Sequence, residues 1–301
     1  MGRDYPCLSD FTLNSQNQIQ MEIRSLEYTD FDILFCAFER AFSDYEIRFE
    51  KEEVRSMLHR RGYNPKLSFA AFVKDEIVAF TLNGTGTFNT YPTAYDTGTG
   101  TVKEYRGQSL AGKIFTYSIP FLKEAGIRQY LLEVLQNNEK AIAVYRRMNF
   151  EITRELDCFR QFIIQINHRK ANMDCFVESV HANIIRQEQQ AFDFTPSWQN
   201  SIESIERGVS ELICLGAFLD GKMVGHCVFD VHTGDLSQIA VQHEYRRKGI
   251  GSRLLQEAAG QMKIDFIKVL NVCSEDKGMS AFLKSKNIPL TSKQFEMILP
   301  L

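Results

Sequence analysis

The sequence predicts two tandem α/β (α+β) modules, each a mixed and mostly antiparallel sheet flanked by helices. Two observations support this. Residues 104–111 (EYRGQSLA) and 244–251 (EYRRKGIG) form nearly the same phrase about 140 residues apart, which indicates an internal repeat. In both copies an apolar, strand-like run precedes the phrase, and a helix-like stretch and another apolar run follow it.

Apolar periodicity sets the elements of the first module. Residues 1–19 are polar and are predicted to form a tail. We then expect a strand at 19–26, helices at 29–42 and 50–60, a hairpin of 67–73 and 77–82, a loop at 84–93, a strand at 94–102, a helix at 109–125, a strand at 129–135, a helix at 138–148 and a last strand at 159–166.

The second module repeats this order with a shorter segment before its hairpin. After a polar linker at 167–173, we expect helical stretches at 176–194 and 198–207, a hairpin of 212–218 and 223–231, a strand at 236–241, a helix at 249–262, a strand at 266–272, a helix at 276–286 and an edge strand at 294–299. The chain therefore divides into residues 20–166 and 174–301. A hairpin followed by one strand–helix–strand crossover predicts one parallel strand pair in each module, at the repeated phrase.

Bulk composition narrows the class of protein. The chain is 44% hydrophobic and 24% charged with a net charge of -3, which gives no electrostatic reason to propose nucleic acid or an acidic membrane as a partner. No apolar stretch is long enough to span a membrane, and the N-terminus lacks the apolar core of a signal peptide. The seven cysteines show no Cys-x-x-Cys spacing and the six histidines no metal-ligand spacing. We expect a cytoplasmic protein with free thiols and no bound metal.

The repeated phrase has the chemistry of a phosphate site. A strand-to-helix turn presents the free N–H groups of the first helical turn, where the helix dipole favours an anion. In the second copy, Gly249 and Gly251 permit positive φ and a close approach of phosphate, beside the positive charges of residues 246–248. In the first copy, Ser109 can cap the helix and Ala111 is small. The alternative for each phrase is a glycine-containing turn beside a solvated basic cluster.

These phrases resemble the cofactor loop of the GNAT family, the acyl-CoA-dependent N-acetyltransferases, whose signature is Arg/Gln-x-x-Gly-x-Gly/Ala. Residues 246–251 fit it fully, and residues 106–111 fit except that Ser109 replaces the first glycine. The resemblance covers roughly residues 20–165 and, more weakly, 174–301. It implies a crossover that splays two strands apart, with acetyl-CoA (coenzyme A) in the gap. The implied cofactor-binding residues are Thr101, Arg106, Gly107, Gln108, Ser109, Leu110, Ala111, Asn138, Val241, Arg246, Arg247, Lys248, Gly249, Ile250 and Gly251.

Residues 132–150 resemble a second GNAT stretch, Leu-Glu-Val followed by Asn-x-x-Ala-x-x-x-Tyr-x-x-x-Gly-Phe. Asn149 stands where glycine is usual, and asparagine tolerates the left-handed conformation at a helix C-terminus. The resemblance implies that Tyr145 is the general acid that protonates the departing thiolate, and that Glu133 is the base. Backbone N–H groups near residues 99–101 would polarise the thioester carbonyl. The alternatives are a core tyrosine and a structural glutamate that is paired or reaches solvent.

The second copy departs from this pattern, because Asn271 occupies the Glu133 position and Leu283 the Tyr145 position. We therefore place catalysis in the N-terminal module. The reverse assignment stays open, with Glu211, Asp235, Cys273 and Glu275 as weak candidates for a base in the second module. Trp198 and Tyr91, in or near loops, could line an acceptor cleft or pack in the core.

Two hypotheses for function remain. The first is direct acetyl transfer, in a ternary complex, to a primary amine of a small molecule, peptide or protein. The second is a non-catalytic acyl-CoA-binding or interaction protein. The acceptor is set by parts of the fold that vary freely, so the sequence does not disclose it. Both a monomer and a homodimer are consistent with the tandem arrangement.

Overall fold

A computed structural model describes residues 21–44, 50–167, 175–187 and 193–301. The predicted tail, and all of the predicted linker except Asn167, lie outside these residues. The first half contains β1 (Met21–Ser25), α1 (Phe31–Ala41), α2 (Lys51–Arg60), β2 (Phe69–Val73), β3 (Glu76–Phe88), β4 (Tyr91–Thr101), α3 (Leu110–Glu124), β5 (Gln129–Leu135), α4 (Glu139–Arg147) and β6 (Glu151–Phe162). The second half contains β7 (Phe176–Ser179), α5 (Ala182–Gln187), α6 (Ile202–Arg207), β8 (Ile213–Leu219), β9 (Lys222–Phe229), β10 (Leu236–Val241), α7 (Ile250–Gln261), β11 (Phe266–Cys273), α8 (Lys277–Ser285) and β12 (Leu290–Pro300).

The strands form an eight-stranded sheet in the order β1-β2-β3-β4-β5-β12-β6-β11 and a four-stranded sheet in the order β10-β9-β8-β7. Neighbouring strands are antiparallel except β4 and β5, which are parallel. The second sheet approaches the first through a parallel bridge between Asp235 and Lys268. The mixed, mostly antiparallel architecture is confirmed, and so is the parallel strand pair of the first half. In the second half, the strands of the crossover lie in different sheets and meet only at this single bridge.

The two halves exchange their last strands. β12 lies between β5 and β6, with Phe295 opposite Val134 on one side and Glu155 on the other. β6, in turn, lies between β12 and β11. The predicted edge position of the strand at 294–299 is therefore wrong, because this strand is central to the larger sheet. Its neighbours come from residues far away along the chain, and local periodicity carries no information about them.

The predicted loop at 84–93 is wrong. β3 extends to Phe88 and β4 starts at Tyr91, and a two-residue turn with positive φ at Asn89 and Thr90 joins them. Such a turn suits a tight hairpin. The Gly- and Thr-rich composition favours a loop, but Phe88 is buried, and the absence of a side chain at Gly86 leaves room for the Trp198 ring.

Two further elements differ from the sequence prediction. The predicted helical stretch at 176–194 starts with strand β7, which pairs with β8, and residues 188–192 lie outside the described residues. The last strand of the first half begins at Glu151 rather than at residue 159. The first part of this strand is polar and lacks the apolar pattern that predicts a strand. Its polar side chains have partners on β12, where Glu296 accepts from Thr153 and Arg154.

The two faces of β5 have different neighbours. Tyr130, Leu132 and Val134 pack in one core cluster beneath α3 and α4. Leu131 packs in another cluster on the opposite face, with Trp198 from the second half. Helices therefore cover one face of this strand, and the second half of the chain covers the other. Among the described residues, no helix has both the length and the apolar character needed to cross a membrane.

Candidate active site

A gap opens between β4 and β5. The two strands pair only where Thr93–Tyr95 lie beside Gln129–Leu131, and beyond Tyr95 they diverge. β4 continues to Thr101 with β3 on its other side. In such a strand, alternate backbone groups point away from the paired neighbour, so this edge of β4 offers unpaired polar groups to the gap.

A cavity of about 180 Å³ lies on the α3–α4 side of the gap. Its wall includes Tyr145 from α4, Asp96 and Thr99 from β4, and the small residues Ala111 and Gly112 from the start of α3. The cavity therefore joins the N-terminus of α3, with its free N–H groups, to a tyrosine and a carboxylate beside the strand gap.

The Tyr145 side chain lies against the ring of Phe150, with centroids 5.6 Å apart. Burial, and then the nearby Asp96 carboxylate, raise the pKa of Tyr145 well above its usual range. The phenol therefore stays protonated at neutral pH and could donate a proton. Asn149 has φ 66°, so the predicted left-handed residue at the end of α4 is confirmed.

Asp96 is a carboxylate that the sequence analysis missed. It accepts hydrogen bonds from the Gly98 backbone N–H at 2.9 Å and from Thr99 Oγ1 at 2.8 Å. Burial raises its pKa to about 6, although these two hydrogen bonds act in the opposite direction. The sequence gives one indication of this residue, a carboxylate within the predicted strand that precedes the repeated phrase.

Glu133 lies on β5 and points to the face opposite the cavity. Its Oε2 accepts from Tyr95 Oη at 2.9 Å, from Asn271 Nδ2 at 2.6 Å and from Gln199 Nε2 at 3.3 Å. Its Oε1 is buried and accepts no hydrogen bond from the described residues. Burial raises the pKa of Glu133 to about 7, against the lowering effect of the Tyr95 hydroxyl.

The second half also contributes an aromatic residue near Glu133. Trp198 is buried, stacks on Tyr95 at 5.2 Å, and donates through Nε1 to the Arg61 carbonyl. Of the two uses considered for this residue, core packing is therefore the one observed. Tyr91 lies at the β3–β4 turn and is exposed.

Each copy of the repeated phrase contains two left-handed residues before its helix. In the first copy these are Gly107 (φ 81°) and Ser109 (φ 58°), and in the second Arg247 (φ 66°) and Gly249 (φ 95°). Each loop thus has one glycine where the backbone requires it and one residue that adopts the same conformation at a cost. Ser109 lies at the predicted N-cap position of α3, but in its left-handed conformation it makes no side-chain capping bond.

The two signature arginines brace their loops. Arg106 donates to Asp44 at 2.6 Å and to the Thr101 carbonyl at 3.2 Å. Arg246 donates to Asp193 at 2.7 Å and to the Val241 carbonyl at 2.9 Å. Each guanidinium group therefore links its loop to an aspartate of an earlier segment of the chain.

The remaining predicted residues have varied surroundings. Leu110 and Ile250 are buried at the starts of α3 and α7. Gln108 is exposed, and the Lys248 ammonium lies 5.1 Å from the Tyr245 ring centroid. Asn138 caps α4 by accepting from the Ala141 N–H at 3.2 Å. Among the predicted cofactor residues, Ala111 lies on the cavity wall.

Two of the candidates for a base in the second half, Asp235 and Glu211, have partners in the first half. Leu283 is fully buried in the core of the second half, and Asp235 pairs with Arg60 at 2.9 Å. Glu211 accepts from Ser56 at 2.9 Å, and Cys273 is buried.

Comparison with known proteins decides the family. The Acetyltransferase (GNAT) family model matches residues 32–150 and again residues 178–283. The chain belongs to the GNAT acetyltransferase family. Among curated proteins, N-alpha-acetyltransferase 30 of Schizosaccharomyces pombe is 41% identical over 49 residues, which are 16% of this chain and 33% of that protein.

Solved GNAT structures share the fold over nearly the whole chain. A GCN5-related N-acetyltransferase from Sphaerobacter thermophilus superposes with a TM-score of 0.68 at 12% identity, covering 93% of this chain and 95% of that chain. A tandem GNAT protein from the clavulanic acid biosynthesis pathway superposes with a TM-score of 0.68 at 11% identity, covering 93% and 98%. A putative acetyltransferase from Pyrococcus horikoshii superposes with a TM-score of 0.67 at 14% identity, covering 97% of this chain and 94% of that chain. The chain is thus a tandem GNAT protein in fold.

Proposed function

We propose that this GNAT protein is an acetyl-CoA-dependent N-acetyltransferase that acts on a primary amine, with its active site in the N-terminal half. The supporting observation is the cavity beside the β4–β5 gap, where Tyr145 and Asp96 meet the start of α3. Glu133 lies on the opposite face of β5, two residues beyond the last pairing of β5 with β4.

The residues at the start of α3 fit an acyl-CoA. Ala111 and Gly112 are small and leave the first helical turn open to the cavity, where free N–H groups can bind the pyrophosphate. Bound there, acetyl-CoA would supply the thioester carbonyl that an amine attacks, with formation of a C–N bond and cleavage of the C–S bond.

Two proton transfers are required of the protein. Glu133, whose pKa lies at about 7, can accept the proton that the amine must lose. Tyr145, which stays protonated at neutral pH, can donate a proton to the departing thiolate. Asp96 also lines the cavity, and its charge helps keep Tyr145 protonated.

For the acceptor we propose the primary amine of a small molecule or a peptide. The name of the fission yeast relative, N-alpha-acetyltransferase 30, makes a short peptide with a free N-terminus a natural first member of the test set.

The test measures thiol release from acetyl-CoA with a panel of amines and short peptides. We expect the Tyr145→Phe substitution to lower kcat by about 100-fold, the range usual for loss of a general acid, while the Kd for acetyl-CoA changes less than twofold. Phe121→Tyr, on the exposed side of α3, serves as an aromatic control. Unchanged kcat in Tyr145→Phe would remove Tyr145 from the mechanism, and acetyl-CoA binding without any amine-dependent thiol release would favour the non-catalytic alternative.

A further inference from the structure

Two residues at equivalent positions of the repeat meet in the structure. Asn271 occupies in the second half the position that Glu133 occupies in the first, and its Nδ2 donates to Glu133 Oε2 at 2.6 Å. The exchanged strands bring β5 and β11 into the same sheet, separated by β12 and β6. The asparagine that makes the second half unfit as a base therefore contacts the carboxylate of the first.

The Asn271 amide is held in one orientation. Its Oδ1 accepts from Gln294 Nε2 at 3.0 Å and from Cys158 Sγ at 3.4 Å. With its oxygen occupied by two donors, the amide directs its nitrogen to Glu133. The residue is 3% exposed, so this orientation is enforced by packing as well as by hydrogen bonds.

The backbone of Asn271 is adapted to this contact. Its φ is 58°, a left-handed conformation that asparagine adopts more readily than most residues. The conformation coincides with an irregularity in the pairing of β11 with β6, between Val269 and Val272. Such an irregularity re-aims side chains along a strand, and here it directs Asn271 toward β5.

The donors around Glu133 all act on one oxygen. Asn271, Gln199 and Tyr95 donate to Oε2, whereas Oε1 is buried without a donor from the described residues. A glutamate with a purely structural role is expected to have both oxygens paired when buried, because an unpaired buried oxygen costs free energy. The arrangement fixes the carboxylate and leaves one oxygen able to take a proton.

We propose that Asn271 is a positioning residue of the active site, which holds Glu133 by Oε2 so that Oε1 accepts the proton of the acceptor amine. This inference rests on the proposed acetyl transfer and assigns the second half a part in it. Two of the three donors, Asn271 and Gln199, belong to that half.

Charged groups from several elements also face Glu133. Its pKa is raised first by burial and then by Glu296 on β12, and it is lowered by the Tyr95 hydroxyl, by Arg61 at the end of α2 and by Arg154 on β6. Asn271 is uncharged, so its replacement by aspartate adds one carboxylate beside Glu133 with little change in shape. Two carboxylates in such contact cannot both ionise freely.

The experiment uses the full chain with the Asn271→Asp substitution, which suits a left-handed residue. In the pH profile of kcat/KM, we expect the acid limb to move up by at least one pH unit, with the Kd for acetyl-CoA changed less than twofold. Asn89→Asp is the matched control, because Asn89 also has positive φ (49°) and lies in the exposed β3–β4 turn. Its profile should match that of the unsubstituted protein.

Infrared titration of the carboxyl band that is lost in Glu133→Gln gives a second readout that needs no activity. If the unsubstituted protein transfers no acetyl group, the proposed function fails. The pKa of the Glu133 carboxyl band should still rise in Asn271→Asp. Should Asn271→Asp not fold, Asn271→Gly keeps the backbone conformation and removes the donor, and it should also raise the pKa of the band. The proposal is overturned if a folded variant shows no change in the pKa of the carboxyl band and no change in the position of the acid limb.

Discussion

At the scale of single residues, the gap between β4 and β5 has a carboxylate on each face. Asp96 lies in the cavity with Tyr145, and Glu133 lies among donors from the second half. Burial raises the pKa of both carboxyls, to about 6 and about 7. Raised pKa values at neighbouring carboxylates are typical of sites that move protons near neutral pH.

The pKa of Glu133 predicts how stability depends on pH. Folding raises it from 4.5 to about 7, so between these pH values the folded protein holds a proton that the unfolded chain has lost. The free energy of unfolding should therefore fall as pH rises through this range, by an amount on the order of 3 kcal/mol from this group. Urea unfolding at pH 5 and pH 8 should show this fall in the natural sequence and a smaller one in Glu133→Gln.

The control for this prediction is Glu151→Gln, at an exposed position at the start of β6, which should keep the full pH dependence. An equal fall between pH 5 and pH 8 in Glu133→Gln and in the unsubstituted protein would contradict the prediction.

The residues of the site differ in how readily the sequence discloses them. Tyr145 and Glu133 follow from a local pattern, and the structure places Tyr145 on the cavity wall. Asp96 lacks such a pattern, because its importance comes from the divergence of β4 and β5. Gln199 and Asn271 reach Glu133 only through contacts between the two halves, which no local spacing reveals.

At the scale of elements, features set by local sequence were predicted, whereas features set by distant partners were not. The strand β5 has the predicted bounds, and the helices that follow the repeated phrases begin within about two residues of prediction, because both depend on local periodicity and turns. β12 was predicted as a strand, but its central place depends on partners in β5 and β6. The prediction missed the first eight of the twelve residues of β6, because its charged residues have partners on β12.

Strand exchange predicts that neither half folds alone. A fragment of residues 1–167 lacks β12 and leaves β5 and β6 without their shared neighbour. We expect this fragment to show no cooperative unfolding transition by circular dichroism. A full chain cut at an inserted protease site near residue 170 should instead stay associated during size-exclusion chromatography. Separation of the two pieces into folded units would contradict the exchanged arrangement.

At the scale of the whole molecule, a buried ion pair links the halves. Arg60 on α2 contacts Asp235, the residue before β10, at 2.9 Å, with both side chains 13% exposed. Arg60 also donates to the backbone carbonyl of Gln199 at 3.1 Å, and the side chain of the same Gln199 donates to Glu133. This pair therefore helps to hold the second half against the site.

Loss of one member of this pair should destabilise both halves together. Arg60→Leu removes the ion-pair partner of the buried Asp235 carboxylate, at a cost on the order of 3 kcal/mol in the free energy of unfolding. Arg186→Leu, which breaks the exposed pair with Glu206, should cost less than about 1 kcal/mol. Urea unfolding followed by Trp198 fluorescence and by circular dichroism should give coincident transitions, and two separate transitions would show that the halves unfold independently.

The most direct test of an active site in the N-terminal half is calorimetric titration with acetyl-CoA. Ala111→Glu and Gly251→Glu place the same charged side chain at equivalent positions of the two loops. Ala111 lies on the cavity wall, and a Cβ at Gly251 would lie 3.5 Å from the Phe282 ring. We predict one bound acetyl-CoA per chain, lost in Ala111→Glu and retained in Gly251→Glu. Loss of binding in Gly251→Glu with retention in Ala111→Glu would contradict the assignment and move the active site to the second half.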